Sequence, residues 1–263
     1  MSKQARLLRV EENPGDAINI FIHGYTSDPC PEQLARLRVP GVTYALDWKA
    51  GSWKHSVAGG FFYLAGKTAY RIKRASAILA PSTIPVEFAI LTAAQAGHFR
   101  AMLSRTRKVG RDLLRHVAAI PDAKSRPINL IGHSLGAMVI HTTLLRQNWK
   151  RYDLNDCVFL GGAAPFCVGW LDCLKQHRGR IYNGYSAKDM VLMVAPMASK
   201  CIGRRELMVE GQQDRVVNVD CSQFLSQSKL KPIDHHTDYW SKIDKVLPMI
   251  WPNASEVSHG SNE

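Results

Sequence analysis

The sequence contains no apolar stretch long enough to cross a bilayer. Its longest apolar run, Val57–Gly66, has about half of the roughly 20 residues that a membrane-spanning helix needs. The segment Met1–Asp16 also lacks the apolar core and the small-residue cleavage site of a secretory leader. We therefore expect a cytoplasmic protein, the alternative being export by a secretion system that needs no leader.

Cysteine patterns typical of zinc sites are also missing. None of the six cysteines forms a C-x-x-C pair, and no histidine lies at zinc-finger spacing from them. We expect free thiols in a reducing compartment and no bound metal.

Acidic residues are scarce, because 34 Lys and Arg residues face 22 Asp and Glu residues and leave a formal net charge of +12. Almost all of the surplus lies between Lys49 and Arg126, where 14 residues are basic and 3 are acidic. Such a surplus favours anionic partners: membrane phosphates, nucleic acids or acidic metabolites. Since the chain has no nucleic-acid-binding motif, we expect no nucleic-acid partner and, instead, a peripheral contact with an anionic membrane surface.

The composition is otherwise that of a globular protein, with 46% hydrophobic and 21% charged residues. Runs of apolar, β-branched residues alternate with helical segments, which predicts an α/β fold with a mostly parallel sheet and helices on both faces. The predicted strands are Ala5–Glu11, Ala17–Ile22, Val42–Trp48, Ile128–Gly132, Cys157–Leu160, Arg180–Tyr185 and Arg215–Val219. The predicted helices cover residues 99–119, 135–147, 167–176 and 238–249. We expect one domain over residues 1–252 and a polar, disordered tail over residues 253–263.

Residues 49–98 break the alternation. A strand-to-helix loop usually takes about 2–6 residues, so this segment is an insertion. It is rich in alanine, glycine and aromatic residues such as Phe61 and Phe62. We predict a helical, cap-like insertion that contributes to an apolar substrate pocket, since ligand sites are concave and mostly apolar. The alternative is that these residues only extend the core.

The strongest chemical signal is the motif Gly132-His133-Ser134-Leu135-Gly136, which lies between a predicted strand and a predicted helix. A serine on so sharp a turn is lifted clear of the sheet, and the helix N-terminus favours negative charge beside it. Glycines two residues away on either side avoid clashes where the strand and the helix converge. Ser134 is therefore the candidate nucleophile, with His133 and the two glycines as supporting residues.

A serine hydroxyl needs a base, and α/β-hydrolases supply their partners in the order serine, acid, histidine. Asp189 follows a predicted strand and is the first candidate for the acid, and Asp220 is its rival. His235 and His236 are adjacent candidates for the base. Composition alone does not choose between these two histidines.

An oxyanion formed by the attack needs two backbone N–H donors. One donor is expected from Leu135, directly after the nucleophile. The other is expected from the turn His23-Gly24-Tyr25 that ends the first buried strand, with Tyr25 as the donor. The alternative for this turn is an ordinary tight turn without a functional role.

These residues resemble those of an α/β-hydrolase and, more closely, those of the family known as domain of unknown function 726, which includes transmembrane-and-coiled-coil proteins of eukaryotes. The matching stretches are Asn19–Gly24, Leu46–Trp48, Arg126–Ala137, Val158–Pro165, Arg180–Leu192, Val217–Cys221 and His236–Trp240. The resemblance implies that Asp189 is the acid and that His236, in the stretch HTDYW, is the base. It does not imply membrane integration, because this sequence lacks the transmembrane and coiled-coil segments of the eukaryotic members.

The expected function is that of a serine hydrolase that cleaves an acyl ester without a cofactor, as a lipase or carboxylesterase acting on a hydrophobic, lipid-like substrate. The resemblance implies the mechanism but not the substrate. Two alternatives are an acyl thioesterase and a catalytically silent α/β-hydrolase scaffold used for binding.

Overall fold

The computed structural model describes residues 5–25, 29–48, 86–194, 200–226 and 232–255. Within these ranges, seven strands form one sheet in the spatial order β1-β3-β2-β4-β5-β6-β7. The strands are β1 (Arg6–Asn13), β2 (Ile18–Ile22), β3 (Gly41–Asp47), β4 (Ile128–His133), β5 (Leu154–Leu160), β6 (Ile181–Tyr185) and β7 (Val216–Asp220). Only β1 runs antiparallel to its neighbour. The mostly parallel sheet predicted from the sequence is confirmed.

Helices cover both faces of this sheet. They are α1 (Pro31–Ala35), α2 (Val86–Val117), α3 (Leu135–Arg146), α4 (Trp170–Leu174), α5 (Met190–Val194), α6 (Pro232–Ser241) and α7 (Ile243–Ile250). Alternate side chains of β2 point to opposite faces, as the strand period of two requires. Ile20 packs in a core with Leu113 and Val139 of α2 and α3, whereas Phe21 packs in a second core with Ile243 of α7. The chain thus has the α/β-hydrolase fold that the sequence predicts.

The register of the parallel strands brings their carboxyl ends to one edge of the sheet. Ile22 pairs with Gly132, His133 pairs with Leu160, and Leu160 pairs with Gly184. The residues that follow β2, β4, β5 and β6 therefore meet at this edge. Functional sites of open parallel sheets form where such ends meet.

Helix α2 is longer than predicted. It begins at Val86, although the apolar periodicity predicted a helix over residues 99–119. Four alanines between residues 86 and 98 favour helix but do not add to an apolar stripe. The apolar periodicity therefore did not predict the first turns of this helix. The end of the predicted insertion 49–98 thus belongs to α2, and residues 49–85 lie outside the described residues. No helix in the described ranges, α2 included, is both long and apolar enough to cross a membrane.

The end of the chain also differs from the prediction. The helix expected over residues 238–249 is two helices, α6 and α7, which meet at Lys242. Residues 252–255, of which 253–255 were predicted to belong to a disordered tail, form a 3-10 turn in which Ala254 is buried. The reason is a polar anchor, because the Asn253 amide and the Trp251 indole N–H both donate to the buried carboxylate of Asp156.

Candidate active site

Ser134 lies on the sharp turn between β4 and α3 with φ of 52° and ψ of −117°, a backbone conformation that non-glycine residues rarely adopt. A methyl group at Gly132 would lie 2.7 Å from Ile140 Cδ1, and one at Gly136 would overlap the backbone carbonyl of Ile22. The two glycines therefore let α3 pack directly against β4 and β2. This agrees with the steric role that the sequence motif predicts for them.

A continuous line of hydrogen bonds connects the three side chains that were predicted as nucleophile, base and acid. The Ser134 hydroxyl lies 2.9 Å from His236 Nε2, and His236 Nδ1 lies 2.6 Å from Asp189 Oδ2. All three residues are buried, and Asp189 is fully so. Since the carboxylate can only accept, it holds the proton on Nδ1 and leaves Nε2 free to accept the serine proton.

The second oxygen of the acid has its own partner. The backbone N–H of Leu192 donates to Asp189 Oδ1 at 3.0 Å. Asp189 lies in the turn after β6, which ends at Tyr185, and its N–H donates to the Ser186 carbonyl at 3.1 Å. The carboxylate is thus held at both oxygens, by the Leu192 N–H and by His236 Nδ1.

The rival acid lies elsewhere. Asp220 ends β7, is exposed, and accepts a hydrogen bond from the Ser222 backbone N–H at 2.9 Å. The Ser222 side chain and this N–H lower the pKa of Asp220, and the neighbouring Lys188 and His235 lower it further. Its described bonds join it to its own turn rather than to either histidine, which leaves Asp189 as the aspartate beside His236.

His133, the histidine of the sequence motif, lies next to His236. Its ring nitrogen Nε2 donates to the backbone carbonyl of His236 at 3.2 Å, and the two imidazole rings lie 5.0 Å apart. Burial, together with the neighbouring rings of His236 and His23, holds the pKa of His133 well below its usual value. His133 is therefore an uncharged donor that holds the backbone of His236.

The turn after β2 approaches Ser134 closely. A methyl group at Gly24 would lie 2.7 Å from Ser134 Cβ, so glycine is required there. The Trp48 indole donates to the His23 carbonyl at 3.1 Å and holds this turn. Tyr25 is half-buried and packs against the core. Leu135 begins α3, where N–H groups have no intrahelical acceptor. The assignment of these two N–H groups to an oxyanion hole stays a prediction.

A known protein family matches most of the chain. The family model described as "Protein of unknown function (DUF726)" matches residues 56–251, about three quarters of the chain. The chain belongs to this family. The description of the family names no activity, so the chemistry has to be inferred from the geometry of the site.

Two solved structures are similar to this DUF726 chain at low identity. One is a lipase-esterase related protein from Clostridium acetobutylicum, with 17% identity, a TM-score of 0.32, and coverage of 62% of this chain and 49% of that one. The DUF726 chain thus spans about half the length of that protein. A second structure covers 95% of this chain and 99% of its own, with 12% identity and a TM-score of 0.38. Both scores lie below 0.5, so the fold assignment rests on sheet topology and the turn at Ser134.

Sequence reasoning missed a second set of polar contacts in this DUF726 chain. His235, the residue before the base, is buried, and its Nε2 lies 2.8 Å from the hydroxyl of Ser186. Ser186 Oγ in turn lies 2.8 Å from Ser222 Oγ. The only sequence signal was position, because Ser186 lies three residues before Asp189 and His235 lies one residue before His236.

Proposed function

We propose that this protein is a serine hydrolase in which Ser134 is the nucleophile, His236 the general base and Asp189 the acid that orients it. The observation that supports this best is the unbroken line of hydrogen bonds from the Ser134 hydroxyl through the imidazole to the carboxylate, at 2.9 and 2.6 Å. Burial strengthens such a line, because the charges that form during the reaction are less screened than in water.

The chemistry follows from this arrangement. Ser134 Oγ bonds to the acyl carbon while its proton passes to His236 Nε2, and the N–H groups of Leu135 and Tyr25 hold the oxyanion. The bond to the leaving alcohol breaks as Nε2 returns the proton to the alcohol oxygen. Water then gives a proton to Nε2 as its oxygen attacks the acyl carbon. The bond between this carbon and Ser134 Oγ breaks as Nε2 passes the proton to Oγ, which releases a carboxylic acid and regenerates Ser134. No step requires a cofactor.

A fluorophosphonate probe tests this directly. It should label the wild-type protein at Ser134 and should not label Ser134→Ala. The matched control is Ser125→Ala, which removes a hydroxyl that donates to the Asp122 carbonyl on the surface, and should label normally. A folded wild-type protein that resists labelling would favour the alternative, a silent scaffold used for binding.

The proposed substrate is a carboxylic ester with a hydrophobic acyl chain, as expected of a lipase or carboxylesterase. The support is apolar surface beside the acid, where the side chain of Met190 is 40% exposed, together with the apolar composition of residues 49–98. Turnover of p-nitrophenyl esters should rise from acetate toward octanoate. The fastest turnover on acetate would contradict this substrate class. Faster turnover of acyl thioesters than of matched esters would instead favour a thioesterase.

The proposed membrane contact uses the outer face of α2. Arg107, Lys108, Arg111 and Arg115 are exposed there, and none of them forms an ion pair with another described residue. The Gln147 side chain bonds to the Arg111 carbonyl, which places this turn of α2 beside the end of α3 farthest from Ser134. The contact would therefore anchor the protein rather than bind the substrate. Binding to anionic vesicles should weaken with salt, and no binding at low salt would contradict the contact.

A further inference from the structure

Two consecutive histidines of α6 hold the same short segment of chain. His236 bonds to Asp189, and His235 bonds to Ser186, which begins the turn that carries Asp189. Both rings are buried, and Ser186 is fully buried. The turn between β6 and α5 is thus attached to α6 at two points, three residues apart.

The directions of the hydrogen bonds follow from the acceptors. His235 Nδ1 lies 3.0 Å from the carbonyl of Ser226, which can only accept, so the ring proton resides on Nδ1. His235 Nε2 is then an acceptor for the Ser186 hydroxyl at 2.8 Å. Ser186 Oγ also accepts the Lys188 backbone N–H at 3.2 Å and lies 2.8 Å from Ser222 Oγ, a contact in which either hydroxyl can donate. His235, Ser222 and the Lys188 backbone N–H thus hold Ser186 Oγ from three sides.

The backbone of Ser186 transmits this restraint to the acid. Its N–H donates to the Gly203 carbonyl at 2.9 Å, and its carbonyl accepts the Asp189 N–H at 3.1 Å. A shift of Ser186 would therefore move Asp189 relative to His236. Because Ser186 is fully buried, a change at His235 removes a hydrogen-bond partner from a hydroxyl that bulk solvent does not reach.

We infer that His235 is a positioning residue whose bond to Ser186 sets the geometry between Asp189 and His236. This inference rests on the proposed function, because the geometry that it fixes is that of the proposed nucleophile, base and acid. His235 does not touch the reacting atoms. Its contribution is to hold the acid-bearing turn at the distance that keeps the proton on His236 Nδ1.

Two amide variants separate the two hydrogen bonds of the His235 ring. His235→Asn keeps a donor at the position of Nδ1 for the Ser226 carbonyl and removes the acceptor for Ser186. His235→Gln places an amide oxygen near the position of Nε2 and keeps that acceptor. We expect His235→Asn to lower kcat on the order of 10- to 100-fold with little change in KM, since small misplacements cost about this much. His235→Gln should recover most of the loss.

Two further variants complete the test. Ser186→Ala removes the donor and should lower kcat as His235→Asn does, and the double variant should be no worse than either single variant. His141→Asn is the matched control, because His141 is a buried histidine whose Nε2 donates to the Val168 carbonyl outside this network. It should lower the melting temperature without lowering kcat.

A second readout does not depend on turnover. The proton between His236 Nδ1 and Asp189 should give a low-field proton NMR signal in the wild-type protein, which should shift or broaden in His235→Asn and return in His235→Gln. The inference is overturned if folded His235→Asn keeps both kcat and this signal. It is also overturned if His235→Gln and His235→Asn lower kcat equally. If the wild-type protein shows the signal but is neither labelled nor active on any ester, the proposed function fails while the positioning role is still tested by NMR.

Discussion

Asp189→Asn should abolish most of the proposed activity while leaving the fold in place. The Leu192 N–H, 3.0 Å from Asp189 Oδ1, requires an oxygen at that position. The new NH₂ group must therefore occupy the position of Oδ2, 2.6 Å from His236 Nδ1. There it is a donor, so Nδ1 must become the acceptor and the ring proton must move to Nε2. An imidazole with Nε2–H faces Ser134 with a donor and cannot take the serine proton.

The size of the loss follows from this change of tautomer. A wrongly protonated base leaves only the oxyanion donors and substrate binding, and the corresponding change in a serine protease costs about 10⁴-fold in kcat. We expect a loss of on the order of 10³- to 10⁴-fold here, equal to roughly 4–5 kcal/mol of transition-state stabilisation. The opposite amide orientation would set NH₂ against the Leu192 N–H and would be less stable.

The assay is steady-state ester hydrolysis together with the rate of fluorophosphonate labelling, with urea unfolding as the check of the fold. Asp220→Asn is the matched control, because Asp220 is exposed and bonds within its own turn. It should change kcat less than a few-fold. An Asp189→Asn protein that keeps a tenth of wild-type kcat, or an Asp220→Asn protein that is equally impaired, would refute the reasoning.

Three further predictions concern the base, the turn and acid stability. His236→Ala should lower kcat on the order of 10³-fold or more and His235→Ala far less, and equal losses would contradict the assignment of the base. Gly136→Ala should destabilise the protein by about 3 kcal/mol because the added methyl meets the Ile22 backbone, with its carbonyl carbon 2.8 Å away. This lowers the melting temperature by roughly 6–12 °C, and an unchanged temperature would refute the steric argument. Burial, with the Arg215 guanidinium nearby, lowers the pKa of His177 from 6.5 to about 4. The unfolded chain binds a proton at His177 as the pH falls below 6.5, whereas the folded chain does so only near pH 4. The free energy of unfolding is therefore highest above pH 6.5 and falls by about 2 kcal/mol between pH 7 and pH 5. His177→Gln should remove that part of the pH dependence in urea unfolding, and an unchanged slope would contradict it.

The sheet and the turn at Ser134 could be predicted from sequence because local chemistry specifies them. Strands buried on both faces, such as β2 and β4, need continuous apolar, β-branched runs, and these are visible without any partner. The two glycines around Ser134 indicate a close approach of strand and helix. A side chain at Gly136 would overlap the Ile22 backbone, which explains why glycine is needed there. The element boundaries were less accurate, as the early start of α2 at Val86 shows, because alanine favours helix without marking a buried face.

The sequence reduced the candidate partners of Ser134 to two aspartates and two histidines but did not choose among them. From the residues alone, Asp189 and Asp220 competed, His235 and His236 were equal, and the family resemblance favoured one of each. Ser134 and His236 are 102 residues apart in the chain, so their distance of 2.9 Å depends on how β4 and α6 pack against the sheet.

The tertiary structure gives the neighbouring histidines different partners, because each ring meets a different atom of the β6–α5 turn, a carboxylate for His236 and a hydroxyl for His235. It also ties residues 252–255 to the buried Asp156, although their polar sequence predicted disorder. Composition determines which segments are apolar enough to be buried. Which polar atoms find each other inside depends on contacts between distant parts of the chain, and no local pattern encodes those contacts.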